Sequence, residues 1–178
     1  MAEIKQFKVL LVGDPKVGKS TIVKVLMDYL ENNKSFSNYS ELDNTYNKTN
    51  GVKVDVFDFN TNLGLIRFNL WDCAGDFGGL GDGYYIAADA VIFVFDLTVE
   101  ESYINLKKWL LRIKRVHSNI PYIIVGTHVD KSSLFYINND NTFKRCFCIS
   151  PNLIPDYIDI MLEVAKLLLF DPFLKLKK

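Results

Sequence analysis

The chain has 178 residues, 49% of them apolar, which fits one compact domain with a full-sized core. Its 21 basic and 21 acidic side chains cancel, so no global field draws it to nucleic acid or to an acidic membrane face. No apolar stretch approaches the roughly 20 residues of a membrane span, and the N-terminus MAEIKQ lacks a signal-peptide core, so the expectation is a soluble intracellular protein.

In chain order, FKVLLV reads as a buried strand and Lys19 to Leu30 as a helix with apolar Ile22, Val23, Val25, Leu26 and Leu30. The segment ENNKSFSNYSELDNTYNKTNG is polar and rich in Asn and Ser, and predicts a long loop. VKVDVFDF alternates strictly and LIRFNLW follows after NTNLG, which predicts an antiparallel hairpin at a sheet edge. AVIFVF and YIIVG are continuous apolar runs of the buried parallel type. Between them Glu100 to His117 is amphipathic, with Leu106, Trp109, Leu110 and Ile113 as its inner face. RCFCI predicts a last strand, on which Cys146 and Cys148 are read as buried thiols lacking the partners of a zinc site. Pro155 to Phe170 predicts a closing helix. Strands alternating with helices predict one α/β domain over residues 1–178, a mostly parallel six-stranded sheet with one antiparallel edge strand and helices on both faces.

Three stretches carry chemistry. GDPKVGKST, Gly13 to Thr21, joins the first strand to the first helix and contains GxxxxGK[ST]. In that pattern backbone N–H groups turn onto phosphates, a lysine reaches the outer phosphates and a hydroxyl meets Mg²⁺. Asp14, Pro15, Lys16, Val17, Gly18, Lys19, Ser20 and Thr21 are therefore read as nucleotide-binding, with Ser20 also a metal ligand. An ordinary strand-to-helix turn is the bland alternative, and the flanking strand and helix argue against it. LWDCAG ends a strand with Asp72, placed to hold Mg²⁺ through its water shell, and with Gly75, whose N–H suits a terminal phosphate. THVD at 127–130 follows another strand. There Asp130 is suited to accept from guanine N1–H and the exocyclic amine, although a strand-end Asp also serves as a simple cap.

With these motifs the chain resembles the Ras-superfamily small GTPases, and within them most closely the Ran family. The most specific part is FNLWDCAGDFGGLGDGYYIAADAVIFVFDLT, Phe68 to Thr98, joined by TNGVKV at 49–54, NIPYIIVG and the final DP. The resemblance implies a P-loop G domain that takes GTP or GDP with Mg²⁺, with switch I and an insert over about 31–50 and switch II over about 72–85. It implies that Thr49 joins Ser20 and Asp72 at the metal, and that Tyr46 closes over the nucleotide. Thr127, His128 and Asp130 then stand for the family's NKxD, and Ser150, Pro151 and Asn152 for its SAK-like loop. Ran-type transport receptors, an exchange factor or an activating protein would be its partners, in nucleus or cytoplasm.

The departures bear on catalysis and base choice. The family's water-orienting Gln is absent: Asp76 follows Gly75. Pro15 stands where a glycine is usual, crowding the place of that Gln and of an arginine finger, and Lys16 adds bulk and charge beside it. Thr127 shortens the Asn of NKxD, His128 replaces its lysine, and Pro151 offers no N–H to guanine O6. INNDNTF replaces Ran's basic stretch, no acidic tail follows DPFLKLKK, and neither end carries a lipid-anchor motif. No residue is assigned as catalytic; Asp76, Pro15 and Lys16 occupy positions that affect hydrolysis. The expectation is GTP binding with slow turnover. The alternatives are a decoy that does not hydrolyse GTP and binds Ran partners, and a P-loop protein of relaxed base specificity.

Overall fold

The computed structural model describes residues 4–32, 49–75, 81–131, 146–150 and 154–177. The first strand, β1 (Lys5–Val12), runs into helix α1 (Lys19–Asn32). β2 (Val52–Thr61) and β3 (Gly64–Cys73) form the expected hairpin, followed by a single 3₁₀ turn, Asp82–Tyr85. β4 (Ala90–Asp96), α2 (Glu100–Val116) and β5 (Tyr122–Thr127) come next, then β6 (Cys146–Cys148) and α3 (Ile154–Leu169).

The sheet order is β2-β3-β1-β4-β5-β6. Among these six strands only β2 against β3 is antiparallel; β1, β3, β4, β5 and β6 run parallel. The period-two rule explains why AVIFVFD is apolar throughout. Ala90, Ile92 and Val94 pack with α1 and α3 on one face, while Val91, Phe93 and Phe95 pack with α2 on the other. Leu106, Trp109, Leu110 and Ile113 are the buried stripe of α2, as its periodicity requires. Leu30 falls outside the buried stripe of α1.

The cysteine expectation is corrected. Cys73 is buried, but Cys146 and Cys148 are exposed, because they lie on a three-residue strand at the outer edge of the sheet, paired only with β5. Among the described residues no helix is long and apolar enough to cross a membrane.

This topology gathers the functional segments at one rim. β1 lies between β3 and β4, and the connection from β3 to β4 passes over it, a reversal of strand order of the kind that opens a ligand crevice at the carboxyl ends of parallel strands. Leu11 is in register with Asp72, Val12 with Phe93, and Asp96 with Thr127, so the motifs after β1, β3 and β5 emerge side by side.

Candidate nucleotide and metal site

The loop after β1 is packed tightly from below. A Cβ on Gly13 would collide with the carbonyl oxygen of Val94, so only glycine lets the chain leave β1 this close to β4. Pro15 and Lys16 are exposed, and Lys16 takes a left-handed φ of 66°, a conformation that costs a non-glycine residue of order 1–3 kcal/mol. Val17 is buried and Gly18 half-buried as the chain enters α1, where Thr21 is half-buried on the first turn.

Lys19 is buried, and its Nζ donates to the Gly13 carbonyl at 2.9 Å and the Asp14 carbonyl at 2.7 Å. Burial pushes its pKa down to about 8, against the opposing pull of Asp72. An ammonium has three donors, and among the described residues only two of them are met, both by neutral carbonyls. A desolvated cation with no carboxylate in direct contact among the described residues is costly, so this loop suits negative charge.

Ser20, Thr49 and Asp72 come from three separate segments and meet beside it. The Ser20 hydroxyl donates to Asp72 Oδ2 at 2.5 Å, lies 3.2 Å from Thr49 Oγ1, and Thr49 Oγ1 is 3.5 Å from the same carboxylate oxygen. Asp72 is 2% exposed, and its Oδ1 has no hydrogen-bond partner among the described residues. Burial raises its pKa, with Ser20 and Lys19 acting against the shift. An orphaned buried carboxylate oxygen beside two hydroxyls is an all-oxygen donor set of the kind Mg²⁺ takes, usually together with waters and phosphates. The residues fit the ion.

At the neighbouring strand end, the buried Thr127 hydroxyl bridges to the loop after β1. Its Oγ1 lies 2.9 Å from the Val17 carbonyl and 3.1 Å from the Phe95 carbonyl. The next residue, His128, has a left-handed φ of 59° and places Nδ1 3.0 Å from Thr127 Oγ1 and 3.1 Å from Asp96 Oδ2. Asp130 follows, exposed, in the turn after β5, and Ser150 is buried just beyond β6.

The family model described as "Ras of Complex, Roc, domain of DAPkinase" matches residues 8–130, more than half of the chain. The chain belongs to the Roc family. Roc is a Ras-superfamily GTPase domain, so the α/β sheet is that of a P-loop G domain and its ligand class is guanine nucleotide. The match spans the loop after β1, the Ser20–Thr49–Asp72 cluster and the THVD turn. It is a match to Roc, not to Ran in particular.

Within this Roc domain the expected residues are distributed unevenly. Lys19, Ser20, Thr49 and Asp72 converge. Gly75 packs on the loop at Pro15, and Asp130 sits at the rim. The carboxylate of Asp14 is taken by α2, accepting from Asn105 Nδ2 at 2.7 Å and Trp109 Nε1 at 2.9 Å, so Asp14 serves the site through its backbone. Tyr46, Asp76, Pro151 and Asn152 lie outside the described residues. The sequence carries no sign of Asn105 or Asp96 at the site, places Trp109 only in the core, and suggests Thr127 only as a weakened base contact. The indole of Trp109 was assigned to the core by its spacing; only the N–H reveals its second task.

Proposed function

We propose that this Roc domain is a Ran-like guanine-nucleotide-binding protein that holds GTP or GDP with Mg²⁺ and hydrolyses GTP slowly. The observation that carries the reading is the meeting of Ser20, Thr49 and Asp72 next to the buried Lys19. In it, Lys19 and the N–H groups of residues 16–20 would hold the phosphates, Ser20, Thr49 and Asp72 would hold the ion, and Asp130 would accept from the base. Bound Mg²⁺ would neutralise phosphate charge. Thr49 stands just before β2 and Gly75 just beyond β3, so contacts to a terminal phosphate would order both segments, and partners would read that order.

Slow turnover follows from what surrounds Gly75. Asp76 cannot present the amide that orients a water, and the Pro15 ring stands where an arginine from a partner would enter. The resemblance around Phe68 to Thr98 supports Ran-type transport receptors as partners, and Tyr84 and Ile86 are exposed at the end of switch II, available to them. The absent Gln equally favours a second reading, an effector-binding decoy that holds nucleotide without turning it over.

Releasing the nucleotide from purified protein and identifying it by mass tests the assignment. GDP or GTP is expected; an adenine nucleotide, or none together with no guanine-nucleotide binding in titration, would reject it. Asp130→Ala should abolish the preference for guanine over adenine.

A further inference from the structure

β2 is an edge strand, and its outer rim is already used once for pairing. Near its end the chain's own C-terminal segment lies against it: Lys177 N–H donates to Asn60 O at 2.9 Å, Asn62 N–H donates to Lys175 O at 3.0 Å, and Leu176 bridges Thr61 in the antiparallel sense. These bonds establish which residues of β2 turn their main-chain groups outward. Asn60 does, so by alternation Asp58, Val56, Val54 and Val52 do as well. Among the described residues no main-chain bond reaches the outward groups of Val52 to Asp58. Val54 and Val56 are 44% and 56% exposed, on the sheet face that carries Trp71. On the opposite face Lys53 Nζ meets Asp55 Oδ1 at 3.0 Å, and Asp55 Oδ2 has no partner among the described residues.

We infer that β2 pairs with β2 of a second copy, antiparallel about a two-fold axis through Val54, joining two sheets into one. The charges select this register. An axis through Val54 sets Val54 against its copy and Val52 against Val56 in hydrogen-bonded pairs. Lys53 then faces the copy's Asp55 in the closer, non-hydrogen-bonded pairs, twice by symmetry. An axis through Asp55 would oppose two carboxylates, and one through Lys53 two ammoniums. An axis through Val56 would set Val54 against Asp58 and Lys53 against Phe59. In the favoured register each lysine keeps its own Asp55 and gains the copy's, so the residue that usually protects an edge strand becomes its adhesive.

Sedimentation of the full chain over a concentration series tests the pairing. Wild type is expected to dimerise, and Lys53→Asp and Asp55→Lys each to weaken the dimer at least about tenfold, since each opposes like charges twice. An equimolar mixture of the two variants, checked for folding by circular dichroism, should dimerise again, because each supplies the charge the other lacks. If a variant does not fold, mixed unlabelled and ¹⁵N-labelled wild type is treated with carbodiimide, and a Lys53–Asp55 cross-link between the two isotopic forms is expected. A monomeric wild type at its solubility limit, variants that dimerise as wild type does, or no mixed-isotope cross-link would each overturn the inference.

Discussion

Gly75 rests directly on Pro15: a methyl group in place of its α-hydrogen would lie 2.7 Å from the proline Cα and closer still to its nitrogen. The colliding atoms are backbone, so no rotamer relieves them. Gly75→Ala should therefore cost about 1–3 kcal/mol of stability in urea unfolding, the usual range for overpacking. It should also weaken binding of a GTP analogue more than of GDP. Pro15→Gly removes the ring but not the main-chain atoms, and should fail to rescue it. Full rescue would show that the ring, not the backbone, makes the contact.

The Ser20–Thr49–Asp72 cluster predicts the metal dependence. Asp72→Asn keeps the shape and removes the charge, and should reduce the slowing of nucleotide release by Mg²⁺ by about 10–100-fold, the range seen when metal-site partners are altered. Release in EDTA should be nearly unchanged. A variant that still responds fully to Mg²⁺ would remove Asp72 from the site.

Thr127→Val is isosteric and leaves the carbonyls of Val17 and Phe95 without its hydroxyl. The expected loss is about 1–2 kcal/mol in urea unfolding, with weaker nucleotide affinity, because the loop after β1 loses its tie to β5. Unchanged affinity with lowered stability would make Thr127 a structural residue only.

How much of this was legible depended on how local the signal was. The β1–loop–α1 unit, the hairpin and the inner face of α2 are written in short-range period and spacing, and they stand as read. Ser20 and Asp72 were legible from their local motifs, but Thr49 was legible only through the family resemblance, because nothing short-range joins it to either. Thr127 with Val17, and Asp14 with Trp109, are contacts across 110 and 95 positions, for which spacing offers no rule. Cys146 and Cys148 were misread because composition speaks for burial, whereas their exposure follows from strand order, which places β6 outermost.

Lys19 predicts a pH signature of two opposite signs. Its folded pKa of about 8 lies below the ordinary lysine value of 10.5, so nucleotide-free protein releases this proton before the unfolded chain does. Stability of the nucleotide-free domain should therefore rise between about pH 8 and 10.5 relative to a Lys19→Met variant. Phosphate binding requires the ammonium, so above about pH 8 affinity should fall, by up to about tenfold per pH unit. Titration of GDP across that window reads the second effect, and a flat Kd would mean that Lys19 stays charged without the nucleotide.

The central claim is a Roc domain that holds GTP and turns it over slowly, and single-turnover hydrolysis tests it most directly. Wild type should convert bound GTP to GDP slowly and respond little to a Ran-type activating protein, because an arginine that elsewhere contributes 10³–10⁵ in rate meets the Pro15 ring. Pro15→Gly and Asp76→Gln should each gain no more than about tenfold, since either change restores one of two missing features. Brisk hydrolysis by the wild type, or strong acceleration by the activating protein, would contradict the account and require another residue to orient the water.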